Sequence, residues 1–400
     1  MIHAKFGQAL PRVEDQKFLT GRGCYVDDIA LPGTAHGIVV YSNHAHARIK
    51  SIDASRAKQA PGVLAVLTGK DIKAHHLGGL PPLFMPEDTG GPKGHRTSRP
   101  LLVDEIVRHV GDRVAFCVAE TLVQARDAAE LLSIEYEPLT SVTSLADATA
   151  VDAPLVWDVA SGNVSFTLRM GDAGRTEKAF ATAAHRARLT LTNNRVTASP
   201  METRGAIGSH NPAGDSFVLH TSTQNPHRVR ETIAHDVFGI PESKLRVIGP
   251  DVGGGFGMKG DTYPEEALVL LASRVTGRSV KWVPSRSDAF VLDNAARDQI
   301  VEAEMALDRD GHILAVRIRA IQNLGAYIVG AALVPLVFSL KLIPNVYDIP
   351  AVDLLTQGVF THTAPTNPYR GAGRPEAVYV TERLLDQAAI EMNIDPIEIR

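Results

Sequence analysis

The sequence predicts an α+β protein built in two or three domains, on three observations. Its 400 residues exceed what one hydrophobic core ordinarily holds, and a hydrophobic content of 44% is ample for more than one. Short β-branched runs and amphipathic helical runs are interspersed along the chain. No internal repeat or low-complexity segment separates them.

The elements follow in order. Residues 37–42 (GIVVYS), 47–53 (ARIKSID) and 62–69 (GVLAVLTG) are rich in β-branched residues and predict strands, with a short helix over 70–74. Residues 113–120, 122–132 and 133–139 predict a strand, a helix and a strand. A first α+β domain therefore spans 1–140, with a linker over 141–160 and a second domain over 161–400. Within the first, residues 75–100 are too punctuated by Gly78, Gly79, Pro81, Pro82, Gly90, Gly91 and Pro92 for regular structure. The second domain opens with a helix over 174–184 and a strand over 185–196. A strand over 216–223 then leads into a helix over 226–239, with Asn225 as N-cap, Pro226 at the first position and Gly239 as its stop. A strand over 244–249 precedes a glycine loop, and Pro264 starts the next helix. Alternation on both sides of Asp310-Gly311 predicts a β-hairpin over 299–321. The apolar run 324–340 is interrupted by Pro335 and flanked by Gln322, Asn323 and Lys341, so it reads as buried core rather than a membrane span. An amphipathic helix covers 375–393, and Asp395-Pro396 predicts one turn of a new helix. A single terminal turn packs poorly, so these residues are expected to be the N-terminal part of a longer polypeptide, or half of a site that another chain completes.

Composition narrows the function. With 41 basic and 45 acidic residues the formal charge is −4, which argues against nucleic-acid or polybasic membrane binding. Two cysteines, Cys24 and Cys117, lack the spacing of a disulfide framework or an iron–sulfur cluster. A reducing, cytoplasmic setting and a small-molecule or protein partner are expected.

The chemistry is concentrated in three turns. Gly255, Gly257 and Gly260 satisfy G-x-G-x-x-G between a strand and a helix, which admits a nicotinamide-dependent dehydrogenase. The acidic residue that should hold a ribose about 20 positions on is missing; Lys281 and Trp282 stand there. A phosphate loop fails as well, because Lys259 is followed by Gly260 rather than Ser or Thr. A purely structural turn is the third reading. In each, loss of Cβ lets backbone N–H groups approach an anion or oxo group. Gln224, in TSTQNPH, offers a neutral donor and acceptor at another strand-to-helix edge, and NPYRGAGRPE over 367–376 is a further glycine turn feeding a helix. Together they predict three walls of one polar cofactor site. Secondary candidates are His44 and His46 on one strand face, His227, Arg374, and Glu202, which either lines the site or pairs with Arg204.

These turns, with LTGRGCYVDDIALPG, NHAHARI, PGVLAVLTGKDI and VGDRVAFCVAE, resemble the molybdopterin-binding large subunit of the xanthine oxidase and aldehyde oxidase family, most nearly the aerobic carbon monoxide dehydrogenase type. The resemblance covers nearly the whole chain. It implies an α/β hammerhead domain to about residue 140, then the first part of a mixed α+β molybdenum-cofactor-binding domain. By the resemblance, Gln224 hydrogen-bonds an oxo ligand of molybdenum; Gly254, Gly255, Phe256 and Gly257 present backbone to the metal oxygen and pyranopterin. Arg370 lies beside the metal, and Gly371 and Ala372 face the substrate. The metal is held by the pterin's dithiolene sulfurs, with no protein ligand, and the cofactor is expected in its cytosine dinucleotide form. The family's carbon monoxide oxidisers carry a copper-binding cysteine where Gly371 stands, and xanthine-oxidising relatives carry a glutamate where Gly260 stands. The first departure implies a mononuclear molybdenum hydroxylase of an aldehyde or N-heterocycle rather than a carbon monoxide oxidiser, and the second argues against purine recognition of the xanthine-oxidising type. The family's base, a glutamate in a Gly-x-Gly-Glu setting, falls beyond Arg400. Partner chains are implied to be a medium FAD-binding subunit and a small 2Fe–2S subunit in a dimer of heterotrimers. A non-catalytic fragment lacking the base-bearing half is the alternative.

Overall fold

The computed structural model describes residues 6–400. Its N-terminal part runs α1 (Asp15–Leu19), β1 (Ala35–Tyr41), β2 (Ala47–Asp53), α2 (Ser55–Gln59), β3 (Val63–Thr68), α3 (Gly69–Ala74), β4 (Ile106–Val107), β5 (Arg113–Ala119), α4 (Leu122–Glu130) and β6 (Ser133–Pro138). Then come α5 (Leu145–Ala148), β7 (Val164–Gly171), α6 (Ala173–Thr182), β8 (His185–Asn193), β9 (Ala206–Asn211), β10 (Ser216–Thr221), α7 (Pro226–Thr232) and β11 (Leu245–Ile248). The remainder is α8 (Pro264–Thr276), β12 (Val280–Trp282), α9 (Arg286–Leu292), β13 (Gln299–Leu307), β14 (Ile313–Gly325), α10 (Val334–Lys341), β15 (Val352–Phe360) and α11 (Arg374–Met392). The architecture is α+β, as the residue pattern predicts.

Three sheets organise these elements. A three-stranded sheet, β4-β2-β6, lies wholly before residue 140, and a five-stranded one, β7-β15-β14-β13-β8, wholly after it. The seven-stranded sheet, β11-β10-β9-β12-β1-β5-β3, crosses that position: β12 runs parallel to β1 through Ala35↔Val280 and antiparallel to β9. Three residues long, β12 is too short to show as a periodic run, yet it joins the two parts of this sheet. Helix α8 packs on it closely enough that a Cβ on Gly208 of β9 would lie 2.6 Å from the Val269 carbonyl. Residues 264–273 of α8 are all buried, the mark of a helix enclosed on every side.

Several expectations need correction. The helix expected over 226–239 is α-helical only to Thr232 and widens into a π-turn over Ile233–Phe238, although Asn225 caps it and Gly239 ends it at φ 62° as foreseen. Asp395 accepts the N–H groups of Ile397 and Glu398, but the last residues form a turn and no helix. The linker holds α5, and β7 and β15 were not anticipated. Most of the 324–340 run is core, with Leu324, Ala326, Tyr327, Ile328, Leu333 and Leu336 each at most 1% exposed, but Phe338 in its helical part is 37% exposed. Among the described residues, no helix is long and apolar enough to cross a membrane.

Candidate cofactor site

Parallel pairing places two of the three turns side by side. β10 and β11 are parallel neighbours, Phe217↔Leu245 to His220↔Ile248, so the chain leaves both at the same sheet edge, toward Gln224 and toward 253–260. The third turn, 367–373, follows β15 and feeds α11. Hydrogen bonds join all three. Gln224 N–H donates to Lys259 O at 2.9 Å, Gly257 N–H donates to Gln224 Oε1 at 2.8 Å, and Arg370 N–H donates to Phe256 O at 2.9 Å. Close approach explains the glycines: a Cβ at Gly255 would stand 2.4 Å from Gln224 Oε1, and one at Gly257 2.6 Å from Pro368 O. Phe256 itself holds φ 53° and is 41% exposed.

The donor set suits a ligand rich in oxygen. The N–H groups of Gly254, Gly255 and Phe256 meet no acceptor among the described residues, and Gly255 is buried. Successive unpaired amides form an anion-binding concavity, and a buried one left bare costs about 1–3 kcal/mol. Gln224 is exposed and its Nε2 is likewise without a partner, while its Oε1 is engaged by Gly257. In this arrangement Gly257 therefore serves Gln224 rather than an outside oxygen. Gly371 and Ala372 follow at φ 96° and 43°, with the Ala372 N–H closing a turn on Tyr369 O at 2.8 Å. The residues present fit an oxo- and pterin-bearing group: neutral donors in a glycine cradle, with no ligating side chain needed.

Charge stands behind this surface. Glu202 Oε2 accepts from Gly253 N–H (2.8 Å), Lys259 Nζ (2.8 Å) and Ser222 Oγ (2.6 Å), tying the first glycine to the loop's only lysine. Burial lowers the Lys259 pKa, and Glu202 opposes that. Arg204 does not pair with Glu202. It reaches Glu265 Oε2 at 3.0 Å and Asp293 Oδ1 at 2.6 Å, its guanidinium 3.7 Å from the Tyr263 ring. Glu265 also takes Arg113 Nε at 2.9 Å. Burial opposes ionisation of Glu265, but Arg113 and Arg204 outweigh it and hold the carboxyl at about 2. Its neighbour Glu266 faces Thr221 Oγ1 (2.6 Å) and Tyr263 N–H (2.9 Å) instead, and burial pushes it up to about 7. Adjacent carboxylates on one helix thus differ because only one meets arginine. Arg297 and Glu376 form a further buried pair at 2.6 Å. In the sequence Lys259 shows only as a failed phosphate-loop lysine, and Arg297 carries no local signal at all. Glu376 could have been found, since it lies three residues after the helix-capping Gly373, whose N–H it accepts at 2.9 Å.

The secondary candidates disperse. His44 packs on Tyr136 with centroids 4.8 Å apart, and His46 on His362 at 4.1 Å. Neither belongs to a metal-ligating group; among the described residues that geometry occurs only at Asp308, Asp310 and His312, in the β13–β14 turn. His227 is exposed. Arg374 lies 4.8 Å over Phe338 and donates to Gly371 O at 3.3 Å, bracing its own turn. The dinucleotide reading fails on topology. It requires the strand after α8 to lie beside β11, whereas β11 is an edge strand and β12 sits beyond β10 and β9.

Residues 156–400 match the molybdopterin cofactor-binding domain, and residues 20–140 match the aldehyde oxidase and xanthine dehydrogenase a/b hammerhead domain. The chain belongs to the aldehyde oxidase and xanthine dehydrogenase family. It is 36% identical to the carbon monoxide dehydrogenase large chain of Hydrogenophaga pseudoflava, over 97% of this chain and 49% of the relative. It is 35% identical to the nicotine 6-hydroxylase large subunit of Paenarthrobacter nicotinovorans, over 98% of this chain and 48% of the relative. Among solved structures, quinoline 2-oxidoreductase from Pseudomonas putida 86 superposes with a TM-score of 0.91 at 37% identity, covering 98% of this chain and 49% of that one. The chain spans about half the length of the curated relatives it matches.

Proposed function

We propose that this chain carries the cofactor-cradling part of a molybdenum hydroxylase that oxidatively hydroxylates an electrophilic carbon of an aldehyde or N-heterocycle. One observation carries the reading: three turns are hydrogen-bonded into a single surface on which the Gly254, Gly255 and Phe256 amides and Gln224 Nε2 are left free to donate. A molybdenum pterin, when bound, supplies the Lewis acid and two-electron acceptor for such a reaction. The protein's part is orientation. Gln224 Nε2 and the Phe256 amide would donate to oxygen atoms of the bound group, and Gly254, Gly255 and Gly257 would let its pterin approach closely. Arg370 anchors the third wall to the second, and Gly371 and Ala372 leave room for the substrate. With Gly371 in place of a copper-binding cysteine, carbon monoxide is disfavoured, and the resemblance to nicotine- and quinoline-oxidising proteins favours a nitrogen heterocycle.

The fuller assignment places the cofactor in its cytosine dinucleotide form and the protein in the cytoplasm. Electrons leave through a small 2Fe–2S subunit and a medium FAD subunit, in a dimer of heterotrimers. Two cysteines, one exposed and one buried inside β5, are consistent with clusters carried by another chain. Expression with its partner chains in a molybdate-supplied host, followed by metal analysis and oxidised-pterin fluorescence, tests the reading. About one molybdenum and one pterin per chain are expected; absence of both rejects it.

A further inference from the structure

Arg297 and Asp298 are consecutive non-glycine residues in the left-handed region, with φ of 63° and 70°. An L side chain resists this conformation, and such residues persist only where their surroundings over-determine them. Those surroundings are present. Ala296 and Val196 exchange backbone hydrogen bonds at 2.9 and 3.1 Å, Asp298 N–H reaches Asn193 O at 3.1 Å, and Asn323 N–H reaches Asp298 O at 3.0 Å. The Asp298 carboxylate accepts from Arg195 Nη1 at 3.1 Å and Asn323 Nδ2 at 2.9 Å.

The strained backbone delivers the Arg297 side chain to the third turn. Its Nη1 donates to Glu376 Oε1 at 2.6 Å and lies 3.5 Å from Tyr369 O, and its Nη2 donates to Arg370 O at 3.1 Å. Glu376 uses its other oxygen for Gly373 N–H at 2.9 Å. Arg297 and Glu376 side chains are 9% and 2% exposed, so water competes little for the bond between them, while the bond to Arg370 O lies at the surface. We propose that Arg297 is a positioning residue for the substrate-facing turn: with Glu376 it grips both ends of 369–373 and sets where Gly371 and Ala372 stand. This rests on the reading of that turn as the substrate wall. Only a guanidinium offers a planar fork that meets a carboxylate and two carbonyls together, so lysine is a poor replacement.

Arg297→Gly removes the side chain yet adopts φ 63° freely, so its cost falls on the unpaired Glu376 carboxylate rather than on the backbone, and Arg297→Gly combined with Glu376→Gln removes that charge as well while keeping an acceptor for Gly373 N–H. In the full-length protein with its partner chains, hydrogen exchange of the 370–374 amides is expected to accelerate about tenfold or more, with β13 and β14 unchanged. Millimolar guanidinium should slow it again, and Arg297→Lys should fall between the two. Unchanged exchange at 370–374, or acceleration that guanidinium does not reverse, overturns the proposal. Absence of molybdenum from the unaltered protein rejects the cofactor reading instead, and the exchange comparison still decides the role of Arg297.

Discussion

The front of the site presents backbone amides, one neutral side chain, Gln224, and the exposed Arg370, whereas the joint behind it buries Arg99, Arg113, Arg204, Glu265 and Asp293. The joint is where parts distant in sequence are held together. Arg113 of β5 meets Glu265 of α8 across 152 residues, and Arg99 Nη1 meets Asn294 Oδ1 across 195. Between these layers stand Glu202–Lys259 and Arg297–Glu376, each with one end on a charge and the other on loop backbone. The contrast separates two roles. The joint fixes where the loops are, and the front, nearly free of titratable groups, is left to match a ligand through hydrogen bonds alone. Changes in the joint should therefore cost stability, and changes at the front should cost binding with little loss of stability.

The largest effect belongs to Glu265→Gln, which leaves Arg113 and Arg204 buried with one carboxylate fewer. A loss of about 3–5 kcal/mol in urea unfolding is expected. A loss below about 1 kcal/mol would mean that water or Asp293 compensates, and the contrast would weaken. Gly257→Ala comes next, because it lies on the front yet touches backbone. Its φ of 97° and the 2.6 Å approach to Pro368 O cannot be relieved by a side-chain rotation. About 1–3 kcal/mol should be lost, together with retention of molybdenum.

Legibility in the sequence divides along the same line. β2 was predicted over the residues it occupies, Asn225 caps its helix as expected, and the three turns meet as expected, since each is marked by glycine, proline or an N-cap that acts locally. The joint left no such mark. Nothing near Arg113 announces Glu265, and the sequence around Glu202 offers either the site or the nearby Arg204, whereas its partner is Lys259, 57 residues on. β12 was invisible for the same reason: its place comes from the strands on either side, not from its own three residues. The Arg297 conformation is imposed by contacts with Asn193, Val196 and Asn323, all remote in sequence.

A smaller effect comes from the joint's neutral side. His362 packs tilted against His46, with ring centroids 4.1 Å apart, and its Nδ1 accepts the Val142 N–H at 3.1 Å. Burial, then the neighbouring His46, lowers its pKa to about 4. The sign follows: the unfolded chain binds this proton more readily, so the contribution is present above about 6.5 and is lost as pH falls toward 4. The urea midpoint should decline between pH 7 and 5, and His362→Asn should flatten that decline. An unaltered slope would assign the acid sensitivity to other groups.

Gln224→Ala should have the smallest effect on folding and the sharpest effect on function. The side chain is exposed, and its Oε1 holds one amide, Gly257 N–H, that water can satisfy in its place. Unfolding free energy should stay within about 0.5 kcal/mol of the unaltered protein. If Gln224 donates to the cofactor's oxygen face, its loss removes one directed hydrogen bond from a site that has few, and pterin retention on gel filtration should fall about tenfold. A variant that keeps both its stability and its pterin would show that the glycine amides alone hold the ligand. A variant that loses stability would show that Gln224 belongs to the joint, and the division between front and joint would then run through the wrong residue.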